Sequence, residues 1–375
     1  MYNIIVFSHF YKPHIGGVEK YVENFYKRLP KKKILIITSK YDDLLKRNSQ
    51  DHNIEILRID SLKIIKDKYY IPSFKGLRQI NKIFKNHING KTEIHTHTRF
   101  YFNNFIASIF AKKYNLNHYH FEHGSSFVKD GSLPVRIFSV IFDKTLGKYI
   151  LKNASLVFPI SNGVKTFLTE NYKNISYGPI LYNSYDFKEN KFIKKPKPSI
   201  LKILFVGRLV KSKGIFELVD AAKTLVRKKL FFHLTIVGGG SEMEKIKKDV
   251  KENKLDKYIE LKGRLEYKET QSLYPKYNLF INPSYSEGLP TTVLEALANS
   301  LVIVATDVGG TREIIPSKYL IDKKDITSSV ISDSIINIYN NWDKYQDIFY
   351  SIYSKSYQKF NWDNNVQTYT KVTRN

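Results

Sequence analysis

The sequence predicts an α/β protein built from two successive doubly wound domains. Short runs rich in Ile, Val, Leu and Phe alternate with segments of helical periodicity along most of the chain, which is typical of parallel β-α units. These runs are almost continuously apolar, as expected for sheets covered by helices on both faces. The length of 375 residues exceeds what a single core usually organises, so we expect two domains.

The first domain is predicted to cover residues 1–185. Residues 3–8 (NIIVFS) predict a first strand, and a Gly-Gly turn leads to a helix over about Val18 to Arg28. The later elements predicted here are strands 33–38, 93–97, 118–122 and 155–160 and helices 101–114, 134–150 and 161–170. An amphipathic helix over about residues 358–375 is expected to fold back and complete this domain.

Residues 186–199 are rich in Lys and Pro and have few side chains to bury, which predicts a linker. A second domain follows over residues 200–357. Its predicted elements are strands 200–207, 231–240, 258–263, 279–284, 302–306 and 319–321 and helices 215–229, 241–254, 268–277 and 290–299. Doubly wound domains bind ligands at the carboxyl ends of their strands, so we expect the two domains to face each other across a cleft that holds the site.

The composition restricts the classes of function. The chain has no Cys, which excludes disulfides, cysteine-zinc sites and thiol catalysis. Its 61 Lys and Arg residues against 35 Asp and Glu give a net charge of +26, which attracts polyanions such as nucleic acid or an anionic membrane. A genome rich in A and T would enrich Lys, Asn, Ile and Tyr in the same way. No zinc knuckle, RNP signature or helix-turn-helix pattern accompanies the charge, so we expect no nucleic-acid partner.

The apolar stretches are short. The N-terminus lacks a basic segment, and its apolar run IIVF is too short for a secretion signal. No stretch approaches the roughly 18 apolar residues that span a bilayer. We therefore expect a cytoplasmic protein, either soluble or peripheral on the inner face of the membrane.

The loop GRLVKSKG (207–214) follows a predicted strand and precedes a helix. In a doubly wound domain this is where the amides of a helix N-terminus meet phosphate. Gly207 begins the loop, and Arg208 and Lys213 add two permanent cations that would neutralise a diphosphate. Two solvated cations on a surface loop would give the same pattern.

Near the start, PHIGGVE (13–19) links the first strand to the first helix. Gly16 and Gly17 permit left-handed torsions and a close ligand approach, although an ordinary tight turn also fits. The spacing differs from the GxGxxG fingerprint of dinucleotide sites.

His123 ends a predicted strand and is followed by Gly124, which leaves space beside the ring, so we interpret it as a site residue. His95 and His97 end another strand. Two histidines without a carboxylate cluster make an incomplete metal site, and we interpret them as structural.

SYSEGLPTTVLEA (284–296) contains two carboxylates around a helix start. Pro290 is favoured at the first helical position, which is expected to leave the amides of Gly288 to Thr292 available at a helix N-terminus. Glu295 lies in the apolar segment VLEALA, where an unpartnered carboxylate is costly, and a polyol ligand would compensate for its burial. Glu287 and Glu295 are far enough apart to hold hydroxyls at opposite ends of one extended ligand.

Together these motifs resemble the retaining glycosyltransferases of family 4, which have the GT-B fold of two Rossmann-like domains. The similarity runs nearly end to end. It includes PxxGGVE (13–19), His123-Gly124, GRLVxxKG (207–214), IVGGG (236–240), EGLPTTVLEA (287–296) and ATDVGGTREII (305–315). The chain departs from the family in having Ser300-Leu301-Val302 for Gly-x-Pro and Asn183-Ser184 for Asn-Gly.

The resemblance implies a role for each candidate in the second domain. Arg208 and Lys213 would hold the diphosphate of a nucleotide-sugar donor, and Glu295 the ribose hydroxyls. Glu287 would bind the transferred sugar, assisted by the amides of residues 288–289.

In the first domain, the resemblance implies that His123 hydrogen-bonds the transferred sugar and that Gly16 and Gly17 border the phosphates and acceptor. The family needs no divalent metal, and the chain has no Asp-x-Asp motif. The donor is expected to be a UDP-sugar rather than a GDP-sugar. The expected acceptor is a glycan or lipid-linked molecule of cell-surface polysaccharide synthesis, such as capsule, lipopolysaccharide or exopolysaccharide.

Two other functions remain open at this stage. A nucleotide-sugar epimerase of the same fold would convert its substrate without an acceptor. A basic nucleic-acid-binding protein would bind DNA with a steep salt dependence and would not need Glu287 or Glu295.

Overall fold

The computed structural model describes residues 1–14, 16–29, 32–42, 44–51, 53–65, 69–128, 132–188 and 191–373. The chain divides into two compact units. The first unit contains residues 1–182 together with the C-terminal segment from Trp362, and the second contains Asn183–Asn361.

The strands, in chain order, are β1 (Ile4–Phe7), β2 (Ile34–Lys40), β3 (Asn48–Asp51), β4 (Ile54–Ile65), β5 (Tyr69–Pro72), β6 (Glu93–His97), β7 (His118–Glu122), β8 (Leu156–Pro159), β9 (Leu201–Val206), β10 (Phe232–Val237), β11 (Ile259–Gly263), β12 (Leu279–Asn282) and β13 (Val302–Ala305). The α-helices are α1 (Gly17–Tyr26), α2 (Phe74–Asn86), α3 (Phe102–Lys113), α4 (Leu133–Phe142), α5 (Lys148–Lys152), α6 (Asn162–Asn171), α7 (Ile215–Arg227), α8 (Met243–Glu252), α9 (Tyr267–Leu273), α10 (Thr291–Ala298), α11 (Thr311–Ile314), α12 (Ser328–Asn340), α13 (Trp342–Lys359) and α14 (Trp362–Thr373).

The sheet of the first unit has the order β3-β4-β2-β1-β6-β7-β8, with β5 paired to β4. All neighbours pair in parallel except β3 and β5, which run antiparallel to β4. The sequence analysis assigned no element to residues 39–92. β4 alternates buried and partly exposed residues there, and Ile54, Ile56 and Ile59 enter the core while the edge strand β3 stays polar. The short polar strand carries no apolar signal, so the pattern missed it.

The segment predicted as one helix over residues 134–150 is interrupted. α4 ends at Phe142, a π-helical turn covers Asp143–Gly147, and α5 follows. Asp143 is almost fully buried in that turn and forms an ion pair with Arg99. A π turn inserts one residue into the helical repeat, and periodicity alone does not reveal such an insertion.

The C-terminal helix α14 packs against α1 and the sheet of the first unit. The ring of Trp362 lies edge-on to Tyr21, and Tyr369 packs among Phe25, Phe121 and Phe158. These side chains are all buried, so α14 supplies part of the apolar cover over one face of this sheet.

The sheet of the second unit has five parallel strands in the order β11-β10-β9-β12-β13. The predicted strand 319–321 is reduced to a single bridge between Thr306 and Ile321, because a 3-10 turn over Ser317–Tyr319 follows Pro316. Residues 191–199, part of the predicted linker, contact α13: Trp342 donates to the carbonyl of Lys195, whose amide donates to Gln346.

Ser300 has φ +64°, the left-handed region, at the position where family 4 usually has Gly. A non-glycine residue there costs about 1 kcal/mol. The Ser300 hydroxyl accepts from the amide of Ile193 at 2.9 Å, an interaction that glycine could not make.

Gly238 fixes the packing at the end of β10. It has φ +140°, and a Cβ at this position would lie 1.8 Å from the carbonyl oxygen of Gly207. We expect Gly238→Ala to lower the free energy of unfolding of the second unit by at least about 2 kcal/mol, because both the torsion and the backbone clash oppose it. Urea unfolding in a Trp362→Phe background measures this, since Trp342 then reports on the second unit alone.

Gly263→Ala in the same unit is the matched control: Gly263 also has a positive φ, +68°, but no atom of the described residues lies within 4 Å of a Cβ there, so only the torsional cost of about 1 kcal/mol is expected. Equal unfolding midpoints for Gly238→Ala and the unsubstituted protein would contradict this account.

Candidate active site

The strand order of the second sheet reverses between β9 and β12. From β9 the chain proceeds to β10 and β11 on one side, whereas β12 and β13 lie on the other. The loops that leave the carboxyl ends of β9 and β12 therefore separate and open a crevice, which is where doubly wound domains bind ligands. The loop after β9 is residues 207–214, and the loop after β12 is residues 283–290. Six candidates of the second domain lie on these two loops: Gly207, Arg208, Lys213, Glu287, Gly288 and Leu289.

Glycines hold the loop after β9 in place. The amide of Leu209 donates to the carbonyl of Gly239 at 3.0 Å, which ties this loop to the one that follows β10. Gly214 has φ +63° and caps α7, and its Cα lies so close to Pro283 that a Cβ would be 2.1 Å from that carbonyl. The two loops at this reversal of strand order, which we call the switch point, are thus in backbone contact.

Lys213 and Glu287 form an ion pair across these loops. The Lys213 Nζ lies 2.6 Å from Glu287 Oε1, and both side chains are mostly buried. The sequence analysis treated the two residues as separate candidates, and the structure brings them together. Next to them, the amide of Tyr285 donates to the carbonyl of Ser212 at 2.8 Å.

Arg208 differs from Lys213 in having no side-chain partner in the described part of the chain. Its side chain is exposed and makes no hydrogen bond or ion pair with the residues that the structure describes. A guanidinium in this state offers its full set of donors to an anionic ligand. The switch point therefore presents one cation that is already paired and one that is available.

The start of α10 differs by one residue from the prediction. Pro290 is the N-cap residue with ψ 109°, and the helix begins at Thr291. The preceding loop is held from two sides: Gly288 accepts from the amide of Gly310, and Leu289 accepts from the Asn183 side chain at 3.3 Å. Asn183 is thus a site-supporting residue that the sequence analysis noted only as a departure from the family.

Glu295 is buried on α10, with 2% of its surface exposed. The hydroxyl of Tyr274, itself fully buried, donates to Glu295 Oε2 at 2.7 Å. Burial and then the carboxylate raise the pKa of Tyr274 well above its usual range, so the phenol keeps its proton and remains a donor. The sequence analysis called for a polyol ligand to compensate for the burial of Glu295, but Tyr274 already supplies one hydrogen bond.

The second unit therefore combines three properties at one edge of its sheet. The N-terminus of α10 carries helix amides and a partial positive charge, Arg208 adds an available cation, and Lys213 is held by Glu287. Such an arrangement suits a ligand that has a doubly charged phosphate group and hydroxyls on either side of it. Gly207 begins the loop, and its amide donates to Val237.

In the first unit, the reversal of strand order lies between β1 and β6. Gly17 begins α1 after the loop that leaves β1, and Gly16 is its N-cap. Gly16 has φ −160° and ψ 174°, so this pair does not use the left-handed torsions that the sequence analysis suggested. No atom of the described residues lies within 4 Å of a Cβ at Gly17, whereas a Cβ at Gly16 would lie 2.3 Å from Glu19 Oε2, so a carboxylate already lies beside this helix N-terminus.

His123 follows β7 and is partly exposed. Its Nε2 lies 3.1 Å from His97 Nδ1, and its ring is edge-on to Tyr21. Desolvation lowers the pKa of His123 to about 4, so the imidazole is neutral at physiological pH. His95 and His97 are buried on β6 and bond to Tyr26.

A buried charge cluster supports the loop after β7. Arg99 contacts Glu122 at 3.0 Å and Asp143 at 3.1 Å, and Glu122 accepts from the amide of Gly124 at 2.7 Å. Burial alone would raise the pKa of Glu122, but Arg99 and the hydrogen bonds hold it well below its usual range. Burial raises the pKa of Asp143 to about 6 despite Arg99. The sequence analysis missed this cluster, whose members are separated along the chain.

Two features are absent from the described part of the chain. No group of three or more His, Asp or Glu side chains there could hold a metal ion. No described helix has both the length and the apolar character that crossing a membrane requires.

Comparison with known proteins places the chain in a family. The model of the family Glycosyl transferases group 1 matches residues 186–354, and that of Glycosyltransferase Family 4 matches residues 15–180. An uncharacterized glycosyltransferase of Methanocaldococcus jannaschii is 31% identical over 389 residues, which covers 98% of this chain and 97% of that protein.

Solved structures show the fold. Sucrose-phosphate synthase of Thermosynechococcus elongatus has a TM-score of 0.75 at 18% identity, covering 99% of this chain and 98% of that one. HepE of Anabaena, solved in complex with UDP and glucose, has a TM-score of 0.74 at 17% identity and covers 99% of both chains. The predicted fold and family are therefore confirmed: the chain belongs to the family 4 nucleotide-sugar glycosyltransferases and has the GT-B fold.

Proposed function

We propose that this protein transfers a sugar, with retention of anomeric configuration, from a UDP-sugar to a glycan or lipid-linked acceptor. The observation that carries the proposal is the switch point of the second unit, where Arg208, the Lys213–Glu287 pair and the N-terminus of α10 converge. HepE binds UDP and glucose, which supports uridine as the base. The proposed setting is cell-surface polysaccharide synthesis.

The leaving group sets the main chemical requirement. Glycosyl transfer proceeds through an oxocarbenium-like transition state as the bond between the anomeric carbon and the diphosphate breaks. Negative charge then develops on the departing phosphate oxygen. Arg208, Lys213 and the amides of residues 288–289 would stabilise this charge, so we propose that no divalent metal is needed.

Retention follows from attack on the face from which the diphosphate leaves. The acceptor hydroxyl oxygen bonds to the anomeric carbon as the carbon-phosphate oxygen bond breaks, and the hydroxyl proton passes to the leaving phosphate oxygen. Glu287, already fixed by Lys213, would bind hydroxyls of the transferred sugar. A covalent intermediate on Glu287 is the alternative, and its ion pair with Lys213 makes this carboxylate a weaker nucleophile.

Glu295 is proposed to accept hydrogen bonds from the ribose hydroxyls. Tyr274 holds its carboxylate in one orientation, which reduces the entropy lost when a ligand binds. In the first unit, His123 is proposed to bond the transferred sugar, and Gly16 and Gly17 to border the phosphates and acceptor.

The surface of α4 supports a membrane-bound setting. Leu133, Ile137, Phe138 and Ile141 are each more than half exposed, and they follow one another at helical spacing. The exposed charges of residues 132–152 are all basic, because the only acidic residue there, Asp143, is buried. An apolar row flanked by cations fits a bilayer that contains anionic lipids. We propose that α4 docks this protein on such a membrane, close to a lipid-linked acceptor.

Arg208→Ala tests the donor site most cleanly, because this side chain contacts no partner among the described residues that the substitution would disrupt. We expect kcat for sugar transfer to fall about 10²–10³-fold, since one cation facing the leaving diphosphate is removed. The change in unfolding free energy should stay within about 0.5 kcal/mol. Steady-state kinetics in the presence of EDTA measures the loss of kcat. NMR of the product shows whether the anomeric configuration of the sugar is retained.

Arg227→Ala is the matched control, an exposed arginine at the opposite end of α7. Full activity of Arg208→Ala would contradict the site assignment. Conversion of the sugar nucleotide without an acceptor would indicate an epimerase instead.

The α4 surface is tested with the double variant Ile137→Ser, Phe138→Ser. We expect its partitioning onto vesicles of phosphatidylcholine and phosphatidylglycerol to fall at least about tenfold, because roughly 2 kcal/mol of apolar contact is lost for each side chain. Cosedimentation measures it. Phe74→Ser, which removes an exposed aromatic side chain from α2, is the control. Equal binding of the double variant and the unsubstituted protein would exclude α4 as the docking surface.

A further inference from the structure

A continuous chain of hydrogen bonds runs through the interior of the first unit and ends at His123. His123 Nε2 lies 3.1 Å from His97 Nδ1, and His97 Nε2 lies 2.9 Å from the hydroxyl of Tyr26. The same hydroxyl lies 2.8 Å from His95 Nδ1, and His95 Nε2 lies 3.3 Å from Glu93 Oε2. Tyr26, His95 and His97 are fully buried.

The far end of this chain is anchored by an ionised carboxylate. Tyr369 on α14 donates to Glu93 Oε2 at 2.6 Å and also lies 2.9 Å from His95 Nε2. Lys32 lies 3.6 Å from the other oxygen of Glu93. Burial by itself would raise the pKa of Glu93, but the bonds from His95 and Tyr369 and the charge of Lys32 outweigh it and lower the pKa. Glu93 is therefore acceptor-only at neutral pH.

The three imidazoles are neutral at the same pH. Desolvation lowers the pKa of His95 below its usual value, that of His97 well below it, and that of His123 to about 4. Each ring then carries one proton, so one of its nitrogens donates and the other accepts.

Counting these protons fixes the direction of every bond. The single proton of Tyr369 goes to Glu93, so His95 Nε2 must carry a proton; otherwise its lone pair would face the carboxylate. His95 Nδ1 then accepts from Tyr26, and Tyr26 accepts from a proton on His97 Nε2. His97 Nδ1 in turn accepts from His123 Nε2, which leaves His123 Nδ1 without a proton.

We infer that this chain locks His123 in the Nε2-protonated tautomer and presents its Nδ1 as a fixed hydrogen-bond acceptor. Nδ1 has no hydrogen-bond partner among the residues that the structure describes, and residue His123 is partly exposed. Tyr26, Glu93, His95 and His97 are positioning residues that act through His123.

The lock has a consequence for specificity. An acceptor at Nδ1 favours a hydroxyl donor, and it opposes a carboxylate or carbonyl oxygen because two acceptors would then face each other. This consequence rests on the proposed function. If His123 contacts the transferred sugar, its Nδ1 selects a donor sugar with a hydroxyl at the contact position over the corresponding uronic acid.

The tautomer is tested directly by ¹⁵N NMR of the full-length protein labelled at histidine, with His123→Gln used to assign the signals. In the unsubstituted protein we expect one neutral form with Nε2 protonated. In Tyr26→Phe, which removes the central hydroxyl, the signals of His123 should move towards a mixture of both tautomers. Glu93→Gln replaces the acceptor-only carboxylate at the far end with an amide that can donate or accept, so it should cause the same shift, and it serves if Tyr26→Phe does not fold.

Tyr21→Phe is the matched control. The Tyr21 ring lies edge-on to His123, but its hydroxyl donates to the carbonyl of Leu181, outside the chain. We expect no change in the signals of His123. A protonated Nδ1 in the unsubstituted protein, or unchanged signals in both chain variants, would overturn the inference.

Kinetics supply a second measurement. Tyr26→Phe should lower kcat/KM for the donor about tenfold, because the hydrogen bond from the transferred sugar to His123 is weakened. The Kd of UDP alone should stay unchanged, since UDP lacks that sugar. A parallel loss of UDP affinity would indicate general damage and contradict a role through His123. The NMR result does not depend on transferase activity, so failure of the proposed function and failure of the lock are distinguishable.

Discussion

The candidate donor site depends on one topological constraint, the reversal of strand order between β9 and β12. Lys213 and Glu287 are 74 positions apart, yet these two strands are neighbours and their loops meet in backbone contact. The ion pair is a consequence of that meeting, and it keeps a cation and a carboxylate at fixed positions before any ligand binds. Preorganised charge of this kind is what a departing diphosphate requires.

Both units bury carboxylates away from water. Each of these carboxylates accepts a hydrogen bond or forms an ion pair with a side chain from another helix, strand or loop. Glu295 receives the Tyr274 hydroxyl, Glu122 receives Arg99, and Glu93 receives Tyr369. An unpartnered carboxylate in such surroundings would be protonated or would destabilise the fold. Because each accepts a hydrogen bond or ion pair from a neighbouring element, its carboxylate is satisfied and can orient the groups around it. Orientation is therefore built into the buried shell, while Arg208 stays exposed for a ligand.

Sequence reasoning found the fold and most of the candidate site, for identifiable reasons. Continuous apolar strands of a parallel sheet leave a strong pattern, and loops such as 207–214 keep motif residues close together along the chain. Polar edge strands such as β3 leave no such pattern. Partners such as Tyr274 and Glu295 are set by tertiary packing, which periodicity does not encode. Pro290 as N-cap shows the usual imprecision of a helix boundary by one residue.

A crystal structure of the protein with bound UDP tests the central claim most directly. The account predicts the diphosphate at the carboxyl ends of β9 and β12, within hydrogen-bond distance of Arg208 and Lys213. The ribose hydroxyls should contact Glu295, which keeps its bond from Tyr274. A diphosphate bound away from Arg208 and Lys213, with Glu295 making no contact to ribose, would contradict the account.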